Sequence, residues 1–297
     1  MTATAEINAE ALSAQARREE WRLLGLSLPA LLLVSIVLFV PTGWLFALSF
    51  IGESGGFSFE HYERLVASSA YVTIFKTTFK VSIYVTLATL LVGYPLAYML
   101  AQLPRRVANL LLLAVLLPFW TSLLVRTYAW LVLLQRHGVV NDSLIGLGVI
   151  DEPIRLVHNL TGAVIGMTHI MVPFLVLPLY ASMAAIDRSY LRAAANLGAG
   201  PIRTFWEVFF PLSLPGLLAG LALVFVLCLG FFVTPALLGG GKVIMIAMRM
   251  DYNIRTYTGW GAASALGVVL LVGTLVILFA AARVVKRSFG RAGRGAG

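Results

Sequence analysis

The sequence predicts an all-α membrane protein that crosses the bilayer six times. Of its 297 residues, 60% are hydrophobic and 12% are charged, whereas about 25% of the residues in an average soluble domain are charged. A transmembrane helix needs about 20 mostly apolar residues, and six segments of the chain meet this requirement. Lysine and arginine are also distributed unevenly among the connecting segments, as is typical of polytopic membrane proteins.

Each of the six predicted spans contains at most one charged residue. Several are longer than the bilayer requires, so they must tilt, kink or protrude. Prolines inside the spans, such as Pro118 in the third, can kink a helix and free a backbone carbonyl. We place the spans near residues 23–50, 81–103, 107–134, 163–186, 211–238 and 262–284.

The distribution of basic residues predicts the orientation. With the N-terminus inside, the cytoplasmic segments hold 13 Lys and Arg residues and the outer segments hold 8, with Arg126 left inside the third span. Because basic residues favour the cytoplasmic side, we expect both termini in the cytoplasm. The same bias accounts for the net charge of +9, so we expect no nucleic-acid partner.

The chain divides into four parts by composition. Residues 1–22 form a polar, frayed or weakly helical cytoplasmic arm, and residues 23–76 contain the first span and an outer loop. Residues 77–282 contain the other five spans. Residues 283–297 form a basic cytoplasmic tail, whose charges favour a position at the lipid headgroups.

The loop of residues 187–210 predicts two short helices. Asp187 and Ser189 are suitable N-caps for a helix that continues to Leu197. Gly198 suits the positive φ of a helix C-terminal turn, and Pro201 suits the first turn of a second helix.

The second helix is amphipathic and reaches residue 210. Its apolar residues recur at i, i+3, i+4 and i+7, so we expect them to pack beneath the spans, while Pro211 and Pro215 end the helix and begin the next span. An ordinary interfacial hairpin would show the same pattern. The apolar residues are Ile202, Phe205, Trp206 and Phe209.

Residues 192–216 resemble the cytoplasmic loop by which permease subunits of type I ATP-binding-cassette (ABC) importers touch their ATPase. The family pattern is Glu-Ala-Ala, three residues, Gly, nine residues and Ile-x-Leu-Pro. Gly198 matches its glycine and Val208 its aliphatic residue. The resemblance implies a type I permease fold in a bacterial inner membrane and contact with an ATPase dimer through Arg192, Ala193, Ala194, Asn196, Leu197, Gly198, Gly200, Pro201 and Pro211.

One position departs from the family pattern. Arg192 stands where the family has glutamate, which reverses the charge and offers a donor fork in place of an acceptor. Either the partner ATPase carries a compensating acid, or the helix is turned slightly.

Three further segments are similar to spermidine/putrescine-type permeases: residues 82–103 with Gly-Tyr-Pro-Leu-Ala, residues 117–141 with Leu-Pro-Phe-Trp-Thr-Ser, and residues 249–263 with Thr-Gly-Trp-Gly-Ala-Ala. The likeness covers residues 77–282. It implies import of a polyamine or of an amino-acid-like or opine-like solute. It also implies a second, paralogous permease and a solute-binding protein, which the outer loop 135–162 either receives through a short surface helix or does not contact.

No catalytic or cofactor site is expected in this chain. It has no GxxxxGK[ST] phosphate loop, so ATP and Mg²⁺ would be used by the partner ATPase. Cys228 is the single cysteine and the four histidines are scattered, which argues against disulfides and a metal site. A stand-alone secondary transporter remains an alternative, but it predicts inverted repeats and ion-coupling acids within the spans.

Several residues are candidates for the substrate pathway. A straight helix from residue 107 would place Arg126 about 28 Å along it, near the outer headgroups, where it could snorkel or stack on the residue at i+4. The aromatic candidates could instead form an interfacial belt. The candidates are Trp120, Arg126, Tyr128, Trp130, Asp251 and Tyr252.

The predicted spans contain no Asp or Glu, so the chain offers a polycation no counter-ion in mid-membrane. Asp251, near the outer mouth, is the best acid candidate. Either the second permease supplies the acids, or the solute is not a polycation.

Overall fold

The computed structural model describes residues 2–257 and 259–292, and within them the chain is helical apart from its connections. Thirteen α-helices are present in these ranges, and a 3₁₀ turn and a π turn add to them. The last part of the predicted tail, residues 293–297, lies outside the described residues. The helices are α1 (Thr2–Leu48), α2 (Glu60–Ala67), α3 (Ser69–Gln102), α4 (Arg105–Leu116), α5 (Leu123–Leu133), α6 (Val139–Gly146), α7 (Leu160–Ala184), α8 (Arg188–Asn196), α9 (Pro201–Thr204), α10 (Phe210–Leu229), α11 (Val233–Leu238), α12 (Ile246–Thr256) and α13 (Gly261–Ala292).

The number of predicted spans is confirmed. In the described part of the chain, five helices are long and apolar enough to cross a membrane, and the total is six when the bent pair of helices is counted as one span. Helix α1 runs without a break from Thr2 to Leu48, so the backbone of the predicted arm is helical from residue 2 and continuous with the first span. The 25–48 part of α1 has no buried residue and touches the bundle mainly along α13.

The third span is not the straight helix that was predicted over residues 107–134. Arg105–Trp120 and Leu123–Leu133 meet at 96°. Pro118, which has no amide to donate, lies in a 3₁₀ turn, and the hydroxyl of Thr121 donates to its carbonyl oxygen over 2.8 Å. Thr121 and Ser122 are extended, so the chain leaves the helix direction before α5 begins.

The core of the bundle is formed by α3, α7 and α10. Leu175 of α7 is fully buried and lies in a notch between two glycines. A Cβ atom on Gly93 of α3 would come 2.9 Å from Leu175 Cδ2, and one on Gly220 of α10 would come 2.7 Å from its Cδ1. The missing side chains therefore let both neighbouring helices approach α7 closely, as small residues do in membrane bundles.

The fifth span ends earlier than the predicted residue 238. Helix α10 stops at Leu229, and α11 is a separate short helix that packs against α5 and α7. Thr127 and Thr234, both buried, join α5 to α11 by a hydroxyl hydrogen bond of 3.1 Å. Helices α5 and α11, which both turn away from the direction of the preceding helix, thus stabilise each other.

A methyl group at the α7–α10 contact should destabilise the fold. In Gly216→Ala the new Cβ would meet the Ser182 side chain and would lie 2.8 Å from the carbonyl oxygen of Pro178. Overpacking of this kind costs about 1–3 kcal/mol. We expect a lower midpoint of thermal unfolding for the purified protein in detergent.

Gly273→Ala is the matched control, because nothing lies within 4 Å of a Cβ at that position of α13. Its midpoint should stay at or above that of the wild type, since alanine favours helix over glycine. Equal midpoints for the two variants would contradict the close approach of α7 and α10.

Candidate functional site

The first helix of the 187–210 hairpin begins as predicted. Asp187 is the N-cap of α8, and its Oδ1 accepts the backbone N–H of Ser189 over 2.8 Å. This hydrogen bond, helped by the nearby charge of Arg192, lowers the pKa of Asp187 below its ordinary value. The cap is therefore charged and formed at neutral pH.

Gly198 ends α8 with the positive φ that was predicted for it, +80°. Its N–H donates to the carbonyl oxygen of Ala195, and the N–H of Ala199 donates to that of Ala194, each over 3.0 Å. This pair of bonds is a Schellman motif, which needs a left-handed residue at the position of Gly198. Pro201 then opens the second helix.

The second helix was predicted to end at Pro211 and Pro215, but it continues past both. The chain is helical without a break over Pro201–Leu229. A π turn at Phe205–Phe209 precedes Pro211, and within it the N–H of Phe210 donates to the carbonyl oxygen of Phe205. The wider turn accommodates a proline ring that would clash in a regular helix. The second helix of the hairpin and the fifth span therefore form one rod.

Only half of the predicted apolar stripe packs beneath the spans. Phe205 and Phe209 meet the ring of Tyr98 edge-on, with centroids 5.4 and 5.0 Å apart. Ile202 is 76% exposed and Trp206 is also exposed, because both lie on the outer face of the rod.

The tip of the hairpin presents apolar surface beside a basic residue. Leu197 is 89% exposed, and Ile202, five residues further on, is uncovered as well. Arg192, Ala193 and Asn196 are exposed on the same helix, whereas Leu191 and Ala194 are half-buried. Exposed apolar patches of this kind are typical of protein contact sites.

A second group of side chains lies where the third span bends. We name Phe119, Arg126, Trp130, His169 and Phe174 the bend cluster. The Arg126 guanidinium lies 5.9 Å from the centre of the Phe119 ring, and Phe119 lies 5.1 Å from Phe174. The ring of Trp130, which follows Arg126 by one turn of α5, lies 5.6 Å from that of His169.

Both the depth and the stacking expected for Arg126 differ from the prediction. His169 lies nine residues beyond Leu160, where α7 begins, which corresponds to about 14 Å at 1.5 Å per residue. Trp130, one turn beyond Arg126 in α5, meets His169 at this position of α7, so a straight third span does not give the depth of Arg126. The Arg126 guanidinium lies over Phe119, which precedes the bend, and not over Trp130 in its own helix.

Residues 90–290 match the model of the family described as binding-protein-dependent transport system inner membrane component. The chain belongs to this family. The spermidine/putrescine transport system permease protein PotB of Escherichia coli is 35% identical over 225 residues, which cover 75% of this chain and 82% of the relative. PotB of Haemophilus influenzae is 32% identical over 248 residues, covering 81% and 86%.

The fold agrees with this assignment. A bacterial ABC transporter involved in the import of the acidic polysaccharide alginate has a chain that superposes with a TM-score of 0.67 at 19% identity, covering 91% of this chain and 96% of that one. The same transporter in complex with an alginate pentasaccharide-bound periplasmic protein gives 0.68. The protein is thus a multi-pass inner-membrane permease subunit of a binding-protein-dependent ABC importer, with the type I fold.

The remaining pathway candidates of the permease are spread over its surface. Trp120 and Tyr128 are exposed and lie outside the bend cluster. Asp251 accepts a hydrogen bond of 2.9 Å from Arg255, so its charge is already paired within the chain. Tyr252 has the guanidinium of Arg249 at 4.7 Å from its ring centre, so one cation already occupies a ring face.

Sequence reasoning missed His169 in the permease. Its position within an apolar run was visible, and ionisable residues inside spans are expensive and mark functional sites. The four histidines show no metal-ligand spacing, so the sequence pattern does not single out His169.

Removing the cap of α8 should loosen the hairpin. We expect faster backbone amide exchange over residues 190–197 in Asp187→Ala, measured by hydrogen–deuterium exchange in detergent, with Asp187→Ser close to wild type because serine can also cap. Since the folded pKa of Asp187 is lowered, its contribution is complete above the unfolded value of about 3.9 and is lost as pH falls through the folded pKa. Unchanged exchange in Asp187→Ala at pH 7 would contradict the capping role.

Proposed function

We propose that the permease forms the translocation pathway for a small organic solute and couples it to a separate ATPase through the 187–210 hairpin. The observation that carries this proposal is the exposed apolar tip of the hairpin, which is continuous with the fifth span. A force applied at Ile202 reaches the span through the continuous helix Pro201–Leu229, and Leu197 is joined to that helix by the turn at Gly198. The contact set is Arg192, Ala193, Ala194, Asn196, Leu197, Gly198, Gly200, Pro201 and, at the base, Pro211.

The partner ATPase dimer binds ATP and Mg²⁺, and its two subunits close and open during the cycle of ATP binding and hydrolysis. This requires the hairpin and both termini to lie in the cytoplasm, which the distribution of basic residues supports. Arg192 then faces the ATPase, where it favours an acidic partner residue.

A second, paralogous permease completes the pathway. The support for it is apolar surface on the core helix α3, where Leu91 and Val92 are exposed. Lipid covers part of this surface, and a second permease the rest.

A solute-binding protein docks at the opposite end of the bundle. The loop before α7 contains the short helix α6, and buried Asn141 holds it in place. The Asn141 amide donates to the carbonyl oxygens of Gln135 and Ile154 over 2.9 and 3.1 Å. Leu147 and Val149 remain exposed on this fixed loop.

The solute carries at least one amino group. The two relatives with 35% and 32% identity are named for spermidine and putrescine, which supports a polyamine or an amino-acid-like or opine-like compound. A stand-alone secondary transporter would instead move its solute without ATP.

Strain at Gly198 should release the ATPase. In Gly198→Val the new side chain has free space, but φ of +80° is unfavourable for it and costs about 1–2 kcal/mol. We expect the ATPase and the second permease to co-purify with tagged wild type in detergent, and the ATPase to be lost or much reduced with Gly198→Val.

Gly148→Val is the matched control at the other end of α7. Gly148 has φ of +67° and free space for a Cβ. It also ends a short helix with the same pair of hydrogen bonds, from Gly148 to Ile145 and from Val149 to Leu144. We expect the ATPase to co-purify with Gly148→Val as it does with wild type. Equal loss from both variants, or solute uptake without ATP by the chain alone, would overturn the proposed coupling.

A further inference from the structure

We infer that the bend cluster binds an anionic group of the solute, so that the cargo is a carboxylate-bearing amine and not a linear polyamine. This inference rests on the proposed function, because it assigns the cluster to the same pathway. Three observations on the described residues support it: an unpaired arginine in the third span, the absence of acids from the segments around it, and buried polar atoms without hydrogen bonds.

Arg126 has no partner for its charge among the residues that the structure describes. The described ion pairs of the other arginines join Arg64, Arg203 and Arg255 to nearby acids. Arg126 has none, and its Nε is buried without a hydrogen bond. A guanidinium within a membrane span is costly unless it is paired, so the site is suited to an anion supplied from outside the chain.

His169 adds an imidazole to the same cluster, against the ring of Trp130. Its Nδ1 is buried without a hydrogen-bond partner, as is Nε of Arg126. The bend cluster thus holds two side chains whose polar atoms lack partners among the described residues. A carboxylate fits the guanidinium fork with two parallel hydrogen bonds.

No acid lies in the segments that build the bend cluster. The sequence has no Asp or Glu in residues 64–141, 153–186 or 208–250, which include both arms of the bend and all of α7. Asp251, the best acid candidate from the sequence, is paired with Arg255. A linear polyamine would therefore meet the positive charge of Arg126 without an acid from these segments, and like charges repel strongly where water is scarce.

The rings of the cluster suit the rest of such a solute. Three aromatic rings lie beside the side chains of Arg126 and His169. They are those of Phe119, Phe174 and Trp130. Aromatic faces take up an aliphatic chain and also attract an ammonium group. A solute with a carboxylate at one end and an amine at the other can thus use both parts of the cluster.

A lipid phosphate is another anion that Arg126 could bind. The depth argues against it, because Trp130, one turn beyond Arg126, meets His169 about 14 Å along α7, whereas headgroups lie at the helix ends. The two sources also differ in their consequences for transport. A substrate carboxylate makes the effect of Arg126 depend on the solute, and a lipid phosphate does not.

The test uses solutes that differ by one carboxylate. The complete complex is reconstituted in liposomes with ATP inside and the solute-binding protein outside, and uptake is measured for ornithine against putrescine, lysine against cadaverine, and arginine against agmatine. Because the binding protein is the same for every permease variant, a change in selectivity is due to the permease.

We expect ATP-dependent uptake of a carboxylated member. Arg126→Gln should raise its KM about tenfold, the loss of one hydrogen bond to a charged group, while uptake of the paired diamine does not fall. Arg126→Lys should retain part of the affinity. Arg106→Gln, an exposed arginine at the start of α4, should behave as wild type.

The variants are first checked for co-purification of the ATPase. If Arg126→Gln does not assemble, His169→Gln provides the same test, with a rise in KM for the carboxylated member only. The inference is wrong if wild type imports the diamine and not its carboxylated partner. It is also wrong if the substitution leaves KM unchanged, or if it lowers uptake of both members equally, as a structural or lipid-binding arginine would.

Failure of the proposed function gives a different result. If the complex hydrolyses ATP but imports none of the carboxylated compounds, the inference fails and the importer remains. If no ATPase assembles with wild type, the proposed coupling itself fails.

Discussion

The arrangement of the permease depends on the close approach of three helices around Leu175. Gly93 and Gly220 leave the space in which this side chain lies, and any larger residue at either position would separate α3 or α10 from α7. Without a hydrophobic driving force between helices in lipid, such close packing is a main source of association. Leu175 and its glycine neighbours occupy one side of α7. Another side of α7 packs against α5 and α11, and His169 lies there near the helix of Arg126.

Local chemistry was predictable from the sequence. The N-cap at Asp187, the left-handed Gly198 and the start of a helix at Pro201 each depend on residues within one turn of one another. The number of spans was predictable for a related reason, because the bilayer requires a minimum length of apolar residues. The hairpin tip could likewise be located by the spacing of its motif.

The direction of the chain at prolines was not predictable from the same information. Pro118 accompanies a 96° bend, whereas Pro211 lies within a continuous helix. The difference depends on what surrounds each ring: extended Thr121 and Ser122 follow the first, and a π turn precedes the second. The depth of Arg126 was predicted along a straight helix, and the bend removes the basis of that prediction.

The joined helix over Pro201–Leu229 has a mechanical consequence. Its 29 residues make a rod about 43 Å long, so a tilt of about 10° about its midpoint would move each end by roughly 4 Å. At the far end the chain continues through Gly230 into α11, which is hydrogen-bonded to α5 through Thr234 and Thr127. A displacement of the far end of the rod would therefore act on α11, and through the Thr234–Thr127 hydrogen bond on the helix that carries Arg126.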